Sequence, residues 1–302
     1  MKFAIIGAGG LGGFFGARLT AAGHDVSFLA RGEHLTALRE RGLTVLGPEA
    51  TTLPVHATGD PAELGTADAV LLAVKTWQLD AAVAALAPVV DADTAVITLQ
   101  NGVEAPAQVA RVLGKDAVLP GVAKVIAALA GPGTIRHVGG AGSLDVAEWD
   151  NRASERVERI RAAFAGAGIG TTPPADIWAD LWAKFLFIAP AGGLGAVTGA
   201  TFGELRHHPE TRRTLHAAMA EIEQLARASG VDLPTGVVAA TLAFLDGQPA
   251  EGTTSLQRDI AAGRPSESDA WTGAVVRLGR EAGIPTPVND VLYAVLRLRE
   301  DR

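Results

Sequence analysis

Short apolar runs alternate with longer segments of helical pattern over the first half of the chain. Residues 11–22, which Gly23 closes, and the apolar segment 81–90 predict helices. The runs between them are continuous, rich in β-branched residues and typical of buried parallel strands; they span residues 3–6, 24–30, 69–74 and 95–99. Strand–helix alternation of this kind predicts a parallel sheet with right-handed crossovers, which is the Rossmann arrangement.

The pattern changes near residue 118 and again near residue 174. Strand-like segments at 118–130, 134–139 and 143–148 are separated by Gly-Pro-Gly and Gly-Gly-Ala-Gly, which predicts antiparallel or mixed strands at the edge of the sheet. A helix over residues 153–167 completes this part. Beyond it, apolar residues recur at helical spacing, as in Leu215, Met219, Ile222 and Leu225, and in Ala274, Leu278 and Ala282. We therefore predict an α/β Rossmann domain over residues 1–174 and an all-helical domain over residues 175–302.

Composition narrows the class of protein. A formal net charge of −7 disfavours broad binding to nucleic acid, and the absence of cysteine excludes disulfides, thiolate nucleophiles and cysteine-ligated metals. The apolar N-terminus is broken by glycines, unlike a signal peptide, and the apolar stretch 185–197 contains Pro190 and is too short to span a bilayer. These features predict a soluble, cytoplasmic protein with no membrane or nucleic-acid partner.

A glycine-rich turn joins the first predicted strand to the first predicted helix. Its residues fit the dinucleotide-binding pattern G-x-G-x-x-G and are Gly7, Ala8, Gly9, Gly10, Leu11 and Gly12. In that pattern the first glycine allows the tight turn, the second lets a pyrophosphate approach the backbone, and the third lets the helix pack on the strand. The alternative is a purely structural glycine turn, but its place in a βαβ unit favours cofactor binding.

The residues after the second strand indicate which dinucleotide is bound. Enzymes that use NAD usually carry an acidic residue there, whereas Arg31 follows this strand and can bind the 2′-phosphate of NADP(H). A solvated surface arginine is the alternative, and Glu33 is a nearby acidic substitute. Polar residues after later strands, Lys75, Gln78 and Asn101, can reach the adenine ribose or the nicotinamide, or can serve as ordinary loop caps.

The helical half offers a small set of candidate catalytic groups. Lys184 lies in an apolar helix, where an ammonium is costly unless it is paired or functional; a lysine whose ammonium reaches solvent at the helix edge is the alternative. Ser255 and Glu267 taken alone are typical of caps and turns. The adjacent His207 and His208 point in different directions on a helix and have no third ligand at suitable spacing, so we predict no metal site.

Taken together, these segments resemble the ketopantoate reductase (2-dehydropantoate 2-reductase) family over essentially the whole chain. After the glycine turn the matching pieces are KTWQLDAA, LQNGVE, LWAK, GELRHHP, TSLQRDIAAGRPSE and GIPTPVNDVLYAVLR, in this order. The resemblance implies NADPH-dependent reduction of a 2-oxo acid, as in pantothenate biosynthesis, by a monomer or a homodimer. It implies that Lys184 is the catalytic lysine, Glu267 its acidic partner, Ser255 a contact of the substrate carboxylate, and Asn101 a neighbour of nicotinamide and substrate.

Four family asparagines are replaced in this chain. The positions are Ile188, Gly192, Phe202 and Gly252. A site built to hydrogen-bond a polar substrate loses affinity with those groups, so we expect a substrate pocket that has diverged toward a less hydroxylated compound. The alternatives are compensating donors such as Thr253, Thr254 or Thr272, a different carbonyl or an imine as substrate, or a non-catalytic NADP-binding sensor.

Overall fold

The computed structural model describes residues 1–47 and 50–301, which form two compact units. The first unit contains Met1–Gln100 and Ala105–Ile177. The second contains the chain from Trp178 onward together with Asn101–Glu104, the short segment that follows the last parallel strand of the first half. The contacts therefore assign Asn101 to the helical part of the chain. We keep residue 174 as the proposed boundary along the sequence.

The first unit is built on one mixed sheet. Among the described residues nine strands join it: β1 Lys2–Ile6, β2 Asp25–Leu29, β3 Leu43–Leu46, β4 Thr51–Leu53, β5 His56–Thr58, β6 Ala69–Leu72, β7 Ala95–Thr98, β8 Val118–Gly131 and β9 Thr134–Val146. Their order is β4-β3-β9-β8-β7-β6-β1-β2-β5. The block from β8 to β5 is parallel throughout, which confirms the Rossmann prediction. The four predicted strands of the first half are all present as β1, β2, β6 and β7.

The antiparallel part of the sheet differs in detail from the prediction. The glycine-rich segment at residues 139–142 does not end a strand; it lies inside β9, which runs unbroken to Val146. Gly140 and Gly142 adopt positive φ there, so they make an irregularity in the β8–β9 ladder instead of a turn. The pair β3–β4, which we did not predict, forms the outer edge, with β3 parallel to β9.

Helices cover both faces of the sheet. They are α1 Gly10–Ala21, α2 Gly32–Arg41, α3 Leu79–Ala84, α4 Ala105–Leu113 and α5 Glu155–Gly166. Alternate residues of β1 enter different cores, since Phe3 and Ile5 pack in one apolar cluster and Ala4 and Ile6 in another. A strand buried on both faces must be apolar at every position, which explains why β1 is a continuous apolar run. The segment predicted as a helix over 81–90 is helical only to Ala84.

A buried ion pair joins the end of the sheet to α5. Arg156 donates from Nε to Glu148 Oε1 at 2.7 Å and from Nη2 to Oε2 at 2.5 Å, and the Glu148 side chain is only 5% exposed. Burial disfavours the charged carboxylate, but the hydrogen bonds from Arg156 and Ser154 and the charge of Arg156 outweigh it and lower the pKa of Glu148.

We expect Arg156→Met to lower the free energy of unfolding near neutral pH by about 2 kcal/mol, because it leaves a buried carboxylate without its partner. A lowered pKa stabilises the folded state above the ordinary glutamate value of about 4.3, and this contribution disappears as the pH falls through the folded-state pKa. The difference between variant and wild type in urea unfolding should therefore shrink below about pH 4. Arg213→Met, at an exposed pair with Glu210, is the matched control. A difference that stays constant down to pH 3 would contradict the assignment.

The second unit is helical. Its helices are α6 Ile177–Thr198, α7 Phe202–His207, α8 Pro209–Ala228, α9 Val237–Asp246, α10 Ser255–Ala261, α11 Ala274–Ala282 and α12 Pro287–Glu300, with a π-helical turn at Asp269–Gly273 before α11. The predicted apolar face of α8 is buried. On α11 the buried residues are Ala274, Val275, Val276 and Gly279, whereas Ala282 is exposed and Leu278 is half-buried, so the predicted face was displaced.

Helix α6 corrects our expectation for the apolar stretch 185–197. The helix is continuous for 22 residues with Pro190 inside it, so in the described part of the chain it is one helix long and apolar enough to cross a membrane. Of its most apolar window, 67% is buried inside the protein, as in the core helix of a globular unit. Length and composition alone therefore do not separate these two cases here, and burial favours the core helix.

Candidate active site

The three glycines of the dinucleotide pattern differ in their surroundings. Gly7 has φ +101°, and a Cβ added there would lie 2.9 Å from Val74. A Cβ at Gly12 would collide with the Gly7 carbonyl, which shows that α1 packs directly on the turn. At Gly9, by contrast, an added Cβ would meet nothing within 4 Å. These are the three conditions that the pattern requires: a tight turn, an open backbone and a close helix–strand contact.

Gly10 is constrained by the protein itself. A Cβ at this position would collide with the Ala127 carbonyl and approach Ala128 Cα at 2.8 Å, so strand β8 packs on the first turn of α1. Like Gly7 and Gly12, Gly10 therefore has a structural reason to be glycine that does not involve a ligand. No local pattern indicates this contact, because Ala127 is far away along the chain.

The N-terminus of α1 can hold a phosphate. Gly9 is the N-cap residue, no side chain caps the helix, and no acidic residue lies in its first turn. The first N–H groups of a helix have no partner within the helix, and the helix dipole places positive charge there. The open face at Gly9 and the uncapped turn through Leu11 thus fit the pyrophosphate of a dinucleotide.

Arg31 lies at the carboxyl end of the neighbouring strand. It is exposed, has extended backbone and is the N-cap residue of α2, directly after β2 and Ala30. Glu33 is also exposed, in the first turn of the same helix. A parallel sheet binds ligands at the carboxyl ends of its strands, so Arg31 is placed at the edge where a bound nucleotide lies.

The turn after β6 is held by its own polar groups. Gln78 Oε1 accepts a hydrogen bond from the Lys75 backbone at 3.3 Å, so the loop-capping alternative describes part of what Gln78 does. Lys75 Nζ lies 5.7 Å from the centre of the half-exposed Trp77 ring. Gln100, which we did not single out, donates from Nε2 to the carbonyls of Leu72 and Val74 at 3.0 Å each. It fixes the end of β6, and its position directly after a buried strand was the only signal in the sequence.

The segment Asn101–Glu104 contacts the turn that carries Glu267. Gly102 has φ +116°, and a Cβ there would lie 3.0 Å from the carbonyl of Ala270. Glu104 accepts from Arg277 Nη2 at 2.8 Å, and this hydrogen bond raises the pKa of Arg277. The structure therefore brings Asn101 and the 267–273 segment into one neighbourhood, although they are far apart in sequence.

The predicted catalytic groups of the helical unit lie on three segments: α6, the start of α10 and the stretch just before the π-helical turn. Lys184 and Ile188 are half-buried and one turn apart on α6, while Glu267 is buried. Ser255 begins α10, behind the N-cap Thr254, whose hydroxyl accepts from the Gln257 backbone at 3.2 Å. Helix α6 packs against α10, since a Cβ at Gly195 would lie 2.7 Å from Gln257.

Aromatic rings fill the space at two of the replaced asparagine positions. A Cβ at Gly192 would lie 2.7 Å from the ring of Trp271, which is 2% exposed. A Cβ at Gly252 would lie 2.7 Å from the ring of Phe202. Phe202 in turn packs at 5.9 Å, between ring centres, on Phe187 of α6. Each glycine is thus matched to an aromatic side chain from a distant part of the sequence.

The threonines considered as compensating donors have partners. Thr272 is fully buried and donates from Oγ1 to the Ser268 carbonyl at 3.1 Å. Thr254 caps α10, and the Thr253 hydroxyl accepts from Arg258 Nη1 at 3.2 Å. The hydroxyl of Thr272 therefore uses its proton inside the protein, and the other two already serve the local structure.

Comparison with known proteins covers both units. Residues 3–151 match the family model described as Ketopantoate reductase PanE/ApbA, and residues 176–300 match its C-terminal counterpart. The 2-dehydropantoate 2-reductase of Mesorhizobium japonicum is 32% identical, over 98% of this chain and 97% of its own, and that of Halobacterium salinarum is 33% identical, over 99% of each. The crystal structure of a PanE/ApbA family ketopantoate reductase from Ralstonia eutropha superposes with a TM-score of 0.92 at 34% identity, covering 100% of this chain and 99% of that one.

Proposed function

The chain belongs to the ketopantoate reductase family and is an oxidoreductase that acts on a carbonyl group, and we propose that it reduces a 2-oxo acid with NADPH. The observation that carries the proposal is the glycine turn, open at Gly9, uncapped at α1 and followed at the next strand by Arg31. A turn of this kind binds a dinucleotide, and the arginine favours the 2′-phosphorylated form. We expect the enzyme to work in the cytoplasm.

Different residues of the chain bind different parts of the cofactor. The N–H groups at the start of α1 hold the pyrophosphate, and the guanidinium of Arg31 binds the 2′-phosphate. Lys75, Gln78 and Asn101 reach the adenine ribose or the nicotinamide. When bound, NADPH supplies the hydride that reduces the carbonyl carbon.

Lys184 supplies the proton. Its ammonium polarises the carbonyl group of the substrate and transfers a proton to the carbonyl oxygen as negative charge develops there. A lysine half-buried in an apolar helix serves this purpose, because its charge is only partly screened by water. Glu267, which is buried, holds the lysine and the substrate. Ser255 contacts the substrate carboxylate, and Asn101 lies beside the nicotinamide and the substrate.

The substrate pocket has diverged toward apolar compounds. Two of the four family asparagine positions are glycines packed against Trp271 and Phe202, so asparagine cannot be accommodated at either without moving a buried ring. Ile188 is apolar on the face of α6 that Lys184 shares. A pocket lined in this way leaves a substrate hydroxyl without a partner, which costs affinity.

Two substrates that differ by one hydroxyl group test this proposal. We expect 3,3-dimethyl-2-oxobutanoate, which is 2-dehydropantoate without its hydroxyl, to be reduced with a kcat/KM at least equal to that of 2-dehydropantoate. A site that hydrogen-bonds the hydroxyl rejects the analogue lacking it by about 10⁴-fold. The measurement is the initial rate of NADPH oxidation near neutral pH with each acid. A strong preference for 2-dehydropantoate would overturn the diverged pocket and leave the 2-oxo acid reductase in place.

The other candidate functions give different results in the same assay. A reductase of another carbonyl or an imine would bind NADPH and turn over neither acid, and a wider set of substrates would restore activity. A non-catalytic sensor would bind NADPH and turn over nothing. The buried Glu267 and the half-buried Lys184 favour an enzyme over a sensor, since a sensor needs no acid–base pair.

A further inference from the structure

We propose that His34 is a positioning residue for NADPH, whose neutral imidazole ties the turn that carries Arg31 to the glycine-rich turn. Nothing in the sequence pattern singles this histidine out. The inference deepens the proposed function and rests on it, because it assigns a role in binding the same cofactor.

The two ring nitrogens of His34 bond to different segments. Nε2 lies 2.7 Å from the carbonyl oxygen of Ala8, in the middle of the glycine-rich turn. Nδ1 accepts the backbone N–H of Gly133 at 2.9 Å, at the tip of the β8–β9 hairpin. One side chain therefore links helix α2, the glycine-rich turn and the β8–β9 hairpin.

These partners fix the protonation state of the ring. The backbone N–H of Gly133 can only donate, so Nδ1 must carry a lone pair. The carbonyl of Ala8 can only accept, so Nε2 must carry the proton. The ring is thus the neutral Nε2–H tautomer, and no other form satisfies both contacts.

The hairpin tip that meets Nδ1 is itself fixed. The carbonyl of Gly133 accepts from the Thr44 backbone at 2.8 Å, and a Cβ at Gly133 would lie 2.9 Å from Ala37 of α2. Strand β8 of the same hairpin packs on Gly10, in the first turn of α1. His34 therefore joins α2 to a hairpin whose strand β8 also contacts the first turn of α1.

The position of His34 on α2 links it to the 2′-phosphate. Arg31 is the N-cap residue of α2, and His34 lies three residues later in the same first turn. A bond from His34 to Ala8 thus sets the distance between the guanidinium of Arg31 and the N–H groups that bind the pyrophosphate. A cofactor that uses both anchors gains from this fixed distance, whereas NADH uses only one of them.

Three substitutions at this position separate the two bonds. His34→Phe removes both, His34→Gln places an amide nitrogen where Nε2 stood, and His34→Asn places an amide oxygen where Nδ1 stood. We expect His34→Phe and His34→Asn to raise the KM and Kd for NADPH about tenfold, the effect of one lost hydrogen bond in a binding turn. We expect His34→Gln to recover most of this loss, kcat to stay within about twofold, and the Kd for NADH to change less than that for NADPH.

The measurement is a fluorescence titration of the full chain with NADPH and with NADH, together with the thermal unfolding temperature of each variant. His24→Phe is the matched control, because His24 packs on Phe3 at the opposite end of β1 from the glycine turn. Two results would overturn the positioning role alone. One is that all three His34 variants bind NADPH with the affinity of the wild type. The other is that the losses of affinity follow the unfolding temperature and are equal for NADPH and NADH. A wild-type protein that binds neither nucleotide would overturn the proposed function and this inference together.

Discussion

Replacing Lys184 by alanine is expected to lower kcat about a thousandfold and to leave the Kd for NADPH within about twofold. A positioned proton donor contributes about 10²–10⁴-fold to a carbonyl reduction, because the developing alkoxide needs a proton and a nearby positive charge. Lys184 lies on α6, away from the glycine turn in sequence and in a different compact unit from it. Its loss should therefore remove chemistry and leave nucleotide binding intact.

The test combines initial-rate assays of NADPH oxidation, which give kcat, with a fluorescence titration, which gives the Kd for NADPH. Lys115→Ala is the control, since Lys115 is exposed and its ammonium lies 5.1 Å from the centre of the Trp149 ring. Turnover that survives in Lys184→Ala would show that another group donates the proton. A variant that loses NADPH binding as well would show that the lysine supports the fold and not the reaction alone.

The sequence predicted those strands whose complete burial makes nearly every position apolar. The strands β1, β6 and β7 are buried at every position or nearly so, and the resulting apolar runs identified them without any structure. Strands β3, β4 and β5 were missed because they are short and partly exposed, so neither a continuous run nor a clear alternation marks them. Their place in the sheet depends on pairing with β2 and β9, which no local pattern records.

Errors in the prediction arose where tertiary packing overrides a local signal. Proline is disfavoured inside a helix, yet α6 continues through Pro190 because the helix is packed on both sides by buried apolar residues. The glycines at 139–142 suggested a turn, yet the β8–β9 ladder continues past them as an irregularity. In both cases the free-energy cost of violating the local conformational preference is smaller than the stabilisation that the tertiary packing provides.

Some features of the candidate site are local in sequence and others depend on contacts between distant residues. The backbone geometry at Gly7, Gly9 and Gly12 could be predicted from the sequence, because it is set within one turn. The match of Gly192 to Trp271 and of Gly252 to Phe202 could not, since each pair joins distant residues. The same holds for His34, whose two bonds reach Ala8 and Gly133.

Replacing Arg31 by alanine is expected to weaken NADPH binding by about 10- to 100-fold and to change NADH binding less than about twofold. A guanidinium forms charge-assisted hydrogen bonds with a phosphate dianion, and each such bond contributes about 1.5–3 kcal/mol. NADH has a hydroxyl at that position, so it loses nothing comparable. The exposed location of Arg31 at the N-cap of α2 means that its removal should not disturb the core.

The comparison of two cofactors on each variant separates a specific contact from a general one. Arg41→Ala is the matched control, because Arg41 is exposed at the other end of the same helix and pairs with Glu40. Raising the salt concentration should weaken NADPH binding to the wild type more than to Arg31→Ala, since the lost contact is electrostatic. An Arg31→Ala protein that still prefers NADPH over NADH by the wild-type ratio would place the 2′-phosphate elsewhere. A wild type that prefers NADH would instead assign the ribose to the neighbouring Glu33, whose carboxylate lies in the first turn of the same helix and can accept hydrogen bonds from a 2′-hydroxyl.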